Sequence, residues 1–388
     1  MIIRKAIVSN FNDALRLVKN TGSSSIVNEL LAKKGVFNAI VIEKIDNRAA
    51  NILKQETISV GASVALNENV SRFKKGISNT VLFATVNQIE KLIKKLRLQP
   101  FRLKEIALKL ENIVNKKKVF KYRERYMDLS NPVVMGIVNV DPNSFSGDGL
   151  TDPNEALKQA VEFERFGAGI IDIGAESSRP GTKLIDAKTE IKRLIPALKR
   201  IRKNVKIPVS VDTYKYETVK AALDEGADII NDIFALRKGR ERSAKLIADA
   251  KAGVILMHMK GIPKNMQTSP EYKNCTSEVY GFLAQQKEYA VGFDIEEERI
   301  AVDPGPGFGK TVEHSVELIK NIGVFSTLGA VVGAVSRKRF IKALAGEDRT
   351  SFIAANFLAG FCGADIIRAH DVKETVNVLK MAETFRRM

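Results

Sequence analysis

The chain has 388 residues, 45% of them hydrophobic and 28% charged, with 26 Gly, 11 Pro and two cysteines, Cys275 and Cys362. These totals are those of a globular protein with room for more than one domain, and they exclude a low-complexity chain and a disulfide scaffold. The net charge of +17 is uneven, because residues 1–130 hold 25 Lys and Arg against 11 Asp and Glu, whereas residues 131–388 hold 37 against 34. Such asymmetry predicts two units with different surfaces.

The amino-terminal stretch has no pattern of an export signal or a membrane span. Arg4 and Lys5 lie where an export signal needs an apolar core, and no apolar run of 18 residues occurs in the chain. We therefore expect a cytoplasmic protein with reduced thiols and no membrane partner.

Residues 1–128 predict a small α/β domain whose role the sequence does not assign. Its segment from Lys91 to Arg125 holds 13 Lys and Arg against three Glu. A nucleic-acid-binding surface is one interpretation, but we favour a solvated helix face and a basic linker, because no aromatic side chains are interleaved with the charges. The predicted strands are 37–43, 57–65 and 80–84, and the predicted helices are 12–19, 48–54, 86–96 and 103–114.

Residues 129–388 alternate short apolar runs with helical stretches, the pattern of parallel strands joined by crossover helices. Eight strands in a segment of this length predict a closed (β/α)8 TIM barrel, with a doubly wound open sheet as the alternative. The predicted strands are 133–138, 169–174, 207–211, 228–231, 253–257, 300–302, 330–335 and 365–368.

Polar residues follow every one of these predicted strands. In a barrel of this kind the active site is built after the carboxyl ends of the strands, so these side chains are expected to meet at one rim. Asp212, Asn231, Asp303 and Lys338 are suited to the edge of a flat heterocycle, because carboxylates and an amide accept from its N–H groups and an ammonium donates to its ring nitrogen or carbonyl.

A second set of strand-end residues is cationic. Arg179, Arg368 and His370 suit a phosphate or pyrophosphate, for which the planar fork of arginine is favoured. The side-chain carbonyl of Asn139 is a suitable oxygen ligand for Mg²⁺ beside such a group.

The segment 305–311, "GPGFGKT", resembles a phosphate-binding loop of nucleotide-dependent enzymes. That motif requires glycine five positions before Gly309, and this chain has Pro304 there. A nucleotide loop is therefore not predicted at this point.

Residues 133–388 resemble dihydropteroate synthases, the pterin-binding barrel enzymes of folate biosynthesis. The resemblance depends on blocks that occur in the family's order. They are "MGIVNVDPNSFSGDG" (135–149), "IDIGAESSRPG" (171–181), "VSVDT" (209–213) with "GADIINDI" (226–233), "LMHMKGIPKNMQ" (256–267), "VDPGPGFGKTVEH" (302–314), and "SRKRF" (336–340) with "GADIIRAHDVKET" (363–375).

The resemblance implies a transferase that joins 6-hydroxymethyl-7,8-dihydropterin pyrophosphate to p-aminobenzoate and releases pyrophosphate. It implies Mg²⁺ as cofactor and a homodimer. By similarity, the pterin is bound by Asp212, Asn231, Asp303 and Lys338, and Mg²⁺ by Asn139. The pyrophosphate is bound by Arg179, Arg368 and His370, and these three residues with Lys338 form the catalytic set. The aminobenzoate is bound by Ser178, Pro180, Ser336 and Phe308.

The chain departs from the family pattern in the segment after Asn139. Asp141 replaces a usual Thr, Asn143 replaces a usual Asp, and residues 147–149 read Gly-Asp-Gly in place of Asp-Gly-Gly. Ser178 stands where Thr is usual. These changes bear on the closure of a lid over the substrates and on the affinity for the arylamine.

Two alternative functions remain open from the residues alone. A pterin-binding methyltransferase would share the heterocycle site, although it has no use for the cationic set. A barrel without catalysis, acting as a scaffold or through a nucleic-acid-binding first domain, would not require polar residues at all eight strand ends.

Overall fold

The structure is a computed structural model. It describes the chain apart from residues 2, 4, 5, 7, 9, 116–117, 142–149, 151, 177–183, 263–265, 267 and 388, and apart from the side chains of residues 26 and 385–387. Two compact units are present, Met1–Lys117 and Lys118–Arg386, and each has its own buried core.

The first unit is a three-stranded antiparallel sheet, in the order β1-β3-β2, with helices packed on it. Leu82 of β3 and Leu92 of α5 are fully buried in its core. Its strands are β1 (Phe37–Asp46), β2 (Ser63–Ala65) and β3 (Ile77–Thr85), and its helices are α1 (Phe11–Lys19), α2 (Ser25–Gly35), α3 (Asn47–Ser59), α4 (Glu68–Ser71), α5 (Val86–Leu96) and α6 (Leu103–Asn115).

One predicted strand of this unit is largely helical. Residues 57–59 belong to the end of α3, because Ala50, Leu53 and Thr57 recur at helical spacing and all three are fully buried. Only Ser63–Ala65 of the predicted strand pairs with β3. Helix α2 has no counterpart in the sequence predictions, whereas the start of α5 is fixed by a capping box between Thr85 and Gln88.

The second unit contains a closed barrel of eight parallel strands, which confirms the predicted (β/α)8 fold class. Every predicted barrel strand overlaps an observed one. The strands are β6 (Val133–Asn139), β7 (Ile170–Gly174), β8 (Val209–Asp212), β9 (Ile229–Asp232), β10 (Gly253–Met257), β11 (Ile300–Asp303), β12 (Ala330–Gly333) and β13 (Ile366–Ala369). The helices are α7 (Pro153–Arg165), α8 (Ala187–Asn204), α9 (Tyr216–Asp224), α10 (Arg240–Asp249), α11 (Cys275–Val291), α12 (Val312–Lys320), α13 (Arg339–Ala345), α14 (Arg349–Phe361) and α15 (Val372–Arg387).

A hairpin closes the amino-terminal end of the barrel. Its strands, β4 (Val119–Tyr122) and β5 (Arg125–Asp128), were assigned to the extension from the sequence, but they belong to the second unit. Phe120 is fully buried against the interior side chains of the barrel, and the guanidinium of Arg123 donates to the carbonyls of Leu223, Ala227 and Ala250. The carboxyl ends of the strands are therefore the end at which a site can form.

Within the described part of the chain, no helix combines the length and the apolar character that crossing a bilayer requires.

Candidate active site

Four neighbouring strands bring polar residues to one level of the barrel mouth. The parallel register aligns Asn139 with Gly174, Gly174 with Asp212, and Asp212 with Asn231. Gly174 has no side chain, and a Cβ added there would lie 3.5 Å from Cβ of Asp212 and 4.0 Å from Oδ1 of Asn139. The amide of Asn139 and the carboxylate of Asp212 therefore border the same space above Gly174.

Two carboxylates hold Arg368, at the end of β13, at this level of the barrel mouth. Its Nε donates to Oδ2 of Asp172 at 2.6 Å, and its Nη2 donates to Oδ2 of Asp212 at 2.8 Å. Nδ2 of Asn231 donates to the same oxygen of Asp172 at 3.2 Å. Arg368, Asp212 and Asn231, all predicted as site residues, thus form one network, and its centre is Asp172.

Asp172 was not among the predicted site residues. It is fully buried inside β7, and its Oδ1 has no hydrogen-bond partner among the described residues. The available signal was an acidic residue in an otherwise apolar strand, "IIDIG", since a charge is kept in such a place only when it is paired. The unused oxygen leaves Asp172 able to accept one further hydrogen bond.

The loop after β11 carries a second group of predicted residues. Oδ1 of Asp303 accepts from the backbone N–H of Gly305 at 2.7 Å. Nζ of Lys338 donates to the carbonyl of Pro306 at 2.7 Å and lies 4.5 Å from the centroid of the Phe308 ring. The structure therefore brings Asp303, Phe308 and Lys338 together.

Burial sets the protonation of the ionisable groups. It raises the pKa of Asp212, with Arg368 acting in the opposite direction, and it raises the pKa of Asp303, with Lys338 opposing. Burial lowers the pKa of Lys338 to about 8, although Asp303 acts against that shift. The carboxylates therefore depend on neighbouring cations for their charge, and Lys338 loses its proton only slightly above neutral pH.

Ser336 and His370 join the ends of β12 and β13. Oγ of Ser336 lies 3.0 Å from Nδ1 of His370, and the backbone N–H of His370 donates to the same Oγ at 3.3 Å. The contact fixes the plane of the imidazole beside Arg368.

Asp141, one of the departures from the family pattern, pairs with a helix. Its Oδ1 accepts from Nη1 of Arg193 on α8 at 3.0 Å, and the residue is only 8% exposed. The charge added at this position is thus compensated by an arginine of the barrel exterior.

A buried ion cluster supports the loop after β8, and the sequence analysis did not identify it. Nζ of Lys215 lies 3.0 Å from Oε1 of Glu176 and 3.2 Å from Oε1 of Glu190. Oε2 of Glu190 accepts from the hydroxyls of Thr213 and Thr218. Because Thr213 directly follows Asp212, this cluster orients the strand end that carries the carboxylate.

Ser178, Arg179 and Pro180 lie outside the described residues, as does the segment 142–149 that contains the other departures. Among the residues that the structure does describe, no group of three or more His, Cys, Asp and Glu side chains is arranged to hold a metal ion. A divalent cation at Asn139 would therefore take most of its ligands from a bound substrate and water.

A separate cleft lies on the outside of the rim, between α8, α9 and α10. It is lined by Tyr214, Lys215, Lys238, Arg240 and Arg242 among others, and it contains none of the predicted site residues. The chemistry described above is in the barrel mouth, so we take the mouth as the candidate site.

The mouth can bind a ligand with two chemically different ends. Buried carboxylates, an amide and an ammonium present acceptors and donors to a flat polar ring, while Asn139 and His370 offer an oxygen and an imidazole beside it. Phe308 supplies an apolar wall next to the ammonium of Lys338.

Comparisons with known proteins agree with this geometry. The sequence model of the pterin binding enzyme family matches residues 135–370. The dihydropteroate synthase of Escherichia coli K12 is 39% identical over 266 residues, which cover 66% of this chain and 93% of the relative.

Two solved structures are similar over most of the second unit. The Yersinia pestis dihydropteroate synthase, solved with a sulfonamide drug complex, has a TM-score of 0.66 and 34% identity and covers 70% of this chain and 100% of its own. The Xanthomonas albilineans dihydropteroate synthase with 4-aminobenzoic acid has a TM-score of 0.64 and 34% identity, with the same coverage of 70% and 100%.

Proposed function

The chain belongs to the dihydropteroate synthase family of pterin-binding enzymes, and we propose a division of its barrel mouth between two substrates. The protein joins 6-hydroxymethyl-7,8-dihydropterin pyrophosphate to p-aminobenzoate, giving 7,8-dihydropteroate and pyrophosphate. In this transfer the bond from the pterin methylene carbon to the diphosphate oxygen breaks, a bond from the same carbon to the arylamine nitrogen forms, and the amine loses a proton. The matches reported above give no support to a methyltransferase or to a non-catalytic barrel.

The pterin ring is held by Asp212, Asn231, Asp303 and Lys338. The observation that carries this proposal is the joint position of the Arg368–Asp172–Asp212–Asn231 network at one level of the mouth. Carboxylates accept from the N–H groups of an aminopyrimidinone edge, and Lys338 donates to a ring nitrogen or carbonyl. The unused Oδ1 of Asp172 is a further acceptor at the base of this group.

Departure of the diphosphate leaves positive charge on the pterin and puts negative charge on the leaving group. Asp212 stabilises the pterin charge, and although burial raises the pKa of Asp212, Arg368 acts to lower it and so favours the ionised carboxylate. His370 and Arg179 stabilise the departing diphosphate, and Arg368 contributes to the positive potential on that side. Lys338, besides binding the ring, keeps a positive charge close to the reacting centre.

We assign the acceptor amine to Phe308 and Ser336 and, by similarity, to Ser178 and Pro180, which lie outside the described residues. Phe308 is partly exposed and faces Lys338, so its ring offers an apolar surface to the arene. Water must be excluded from the reactive cation, and the sequence assigns that task to the segments 142–149 and 177–183, which lie outside the described residues.

The residues present are compatible with Mg²⁺ bound by Asn139. A hard cation of this kind takes oxygen ligands and commonly completes its shell with substrate phosphates, and the Asn139 carbonyl oxygen borders the space that Asp212 also faces. When bound, the ion neutralises charge on the departing diphosphate. Asn139 holds and orients that end of the substrate.

The assignment is tested by incubating the purified protein with dihydropterin pyrophosphate, p-aminobenzoate and Mg²⁺, and identifying products by mass spectrometry. Dihydropteroate and one equivalent of pyrophosphate are expected only when both substrates are present. A folded protein that yields neither product would contradict the proposal. Competition with a second arylamine in the same assay identifies the preferred acceptor.

The affinity for the pterin substrate is expected to fall as the pH rises through about 8, because the ammonium of Lys338 has its pKa lowered to about 8 by burial and is lost above it. The KM for dihydropterin pyrophosphate should therefore rise between pH 7 and pH 9. The matched variant Lys338→Met should show a high KM that no longer changes over this range. A wild-type KM that is flat with pH would contradict the role given to Lys338.

Removal of Mg²⁺ with a chelator is expected to lower turnover, and Asn139→Ala should raise the Mg²⁺ concentration needed for half-maximal rate by about tenfold, equivalent to about 1.4 kcal/mol. Titration of the initial rate with MgCl₂ measures both effects. Asn115→Ala, at the end of α6 in the first unit, is the matched control and should leave the Mg²⁺ dependence unchanged. Equal half-maximal concentrations for wild type and Asn139→Ala would remove Asn139 from the metal site.

We extend the proposal to the whole protein in two respects, its oligomeric state and its location. A homodimer and a cytoplasmic location follow the family, and both cysteines are free thiols in the structure. The role of the basic first domain stays a prediction. Nucleic-acid binding by that domain is not expected, and salt-dependent binding of DNA or RNA would contradict this view.

A further inference from the structure

The lysine of the "GPGFGKT" segment is buried inside the second unit. Lys310 is 3% exposed, and its Nζ reaches three acceptors: Nδ1 of His258 at 2.9 Å, the carbonyl of His258 at 3.3 Å and the carbonyl of Phe308 at 3.0 Å. Three acceptors match the three N–H bonds of an ammonium group. The residue that resembles a phosphate-binding lysine therefore points into the protein and connects two strand-end loops.

These two loops are packed backbone to backbone. A Cβ at Gly305 would lie 2.1 Å from the carbonyl oxygen of His258, and one at Gly309 would lie 2.3 Å from that of Lys260, so neither position admits a side chain without movement of the main chain. Both glycines have positive φ, at 63° and 62°. Glycine thus brings the loop after β11 against the loop after β10, and Lys310 supplies the donors between them.

Burying the amine of Lys310 costs free energy, and its contacts differ from those of an ordinary surface lysine. No carboxylate forms an ion pair with it among the described residues, and burial lowers its pKa to about 7. Burial also lowers the pKa of His258 to about 2, which leaves a neutral imidazole whose Nδ1 accepts. A lysine amine buried without a carboxylate partner is expected to have a specific task.

The loop after β11, to which Lys310 donates a hydrogen bond, contains Phe308. Its other anchors include Lys338 on the carbonyl of Pro306, the hydroxyl of Tyr272 on the carbonyl of Gly309, and the hydroxyl of Ser315, which accepts from the N–H of Gly307. Among these four side chains, only Lys310 binds the carbonyl of Phe308, the residue whose ring faces Lys338.

We propose that Lys310 is a positioning residue for the arylamine. By holding the backbone of Phe308 against the loop of His258, it fixes the position of the Phe308 ring, which forms the apolar wall of the arylamine site. This inference rests on the proposed function for the identity of the acceptor. Lys310 does not touch either substrate and acts only through Phe308.

The test is a double-mutant cycle with steady-state kinetics. Lys310→Met and Phe308→Ala should each raise the KM for p-aminobenzoate by about tenfold, while the KM for dihydropterin pyrophosphate stays within about twofold. The double variant should show no further rise, because the lysine acts through a ring that is already absent. Additive effects, or an equal rise of both KM values, would overturn the proposal.

A matched control separates positioning from loss of stability. Asn356 is a fully buried amide of α14 that donates to Thr375 at 3.0 Å, away from both loops. Asn356→Ala should lower the melting temperature without changing the KM for p-aminobenzoate. If Lys310→Met does not fold, Lys310→Gln keeps a side-chain NH₂ donor group and enters the same cycle.

Hydrogen exchange gives a readout that does not need activity. The amides of Gly305, Gly307, Phe308 and Gly309 should exchange faster in Lys310→Met than in wild type, and at the wild-type rate in Asn356→Ala. Unchanged exchange in Lys310→Met would overturn the positioning role. Failure of the wild-type protein to form dihydropteroate would overturn the proposed function, and the exchange result would still decide whether Lys310 holds this loop.

Discussion

Replacing Arg368 by methionine is expected to lower kcat/KM by about a thousandfold, close to 4 kcal/mol of transition-state stabilisation. The reason is that Arg368 is the cation shared by Asp172 and Asp212, which its guanidinium contacts at 2.6 and 2.8 Å. Without it, Asp172 and Asp212 lose the cation that they share, so the pKa of Asp212, which burial already raises, rises further and its protonated form gains at neutral pH. Removing one partner of a buried ion pair should also reduce the free energy of unfolding by about 3–5 kcal/mol.

The pH profile of Arg368→Met gives a more specific signature. Because the carboxylate of Asp212 in the variant ionises only at higher pH, the residual kcat/KM should increase as the pH is raised from 6 to 8. The control is Arg102→Met, which removes an arginine whose side chain is 83% exposed in its pair with Glu105. That control should be as active and nearly as stable as wild type, since an exposed pair contributes about 0–1 kcal/mol. Equal activity of the two variants would contradict the network's role.

The substitution Asp212→Asn is expected to lower kcat by a factor of about 100 to 1,000 with a smaller change in the KM for the pterin substrate. The amide keeps the shape and one acceptor oxygen of the carboxylate, but it cannot stabilise the positive charge that develops as the diphosphate leaves. An effect on kcat rather than KM therefore separates transition-state stabilisation from simple binding. Steady-state rates with each substrate varied in turn measure both constants.

Asp228→Asn is the matched control for this substitution. Asp228 is also buried, but it lies just before β9, at the opposite end of the barrel, where its Oδ2 accepts from the N–H of Val209 at 2.9 Å and pairs with Arg202. We expect Asp228→Asn to lose stability while kcat stays within about twofold of wild type. A similar fall in kcat for both variants would show that the effect of Asp212→Asn is a loss of structure.

The barrel was predictable from the sequence because its strands are short, apolar and separated by helical stretches. Each observed strand overlaps its predicted counterpart, and polar residues such as Asp212 and Asn231 do meet, since the carboxyl ends of parallel strands share one rim. The hairpin was not recognised as part of this unit. Its contribution depends on Phe120, which fills the amino-terminal end of the barrel, and no local sequence pattern predicts that contact.

The partners of the site residues were harder to predict than the residues. Arg368 was assigned to a phosphate site from its chemical type, but in the structure its guanidinium contacts Asp172 and Asp212, which are far away in sequence. Asp172 itself lies within a strand and not after one, so a search limited to strand ends passes over it. The same holds for Glu190, whose position on α8 becomes meaningful only when the helix packs beside β8.

Tertiary contacts determine the structure of two segments that local sequence patterns describe incompletely. Thr57 has the β-branched character of a strand residue, but its burial on the face shared with Leu53 places it in a helix, so packing overrode propensity. Lys310 has the sequence context of a nucleotide loop, but a proline at 304 and glycines that allow close backbone packing turn it inward. In both cases the tertiary contacts decided between two local interpretations.

The central claim is that the barrel mouth binds the pterin ring and its diphosphate together. Its most direct test is a crystal structure of the protein with dihydropterin pyrophosphate and Mg²⁺ bound. We predict that the ring lies among Asp212, Asn231, Asp303 and Lys338, with the diphosphate toward Asn139 and His370. A pterin bound instead in the outer cleft beside Tyr214 and Lys238, with the mouth empty, would contradict the account.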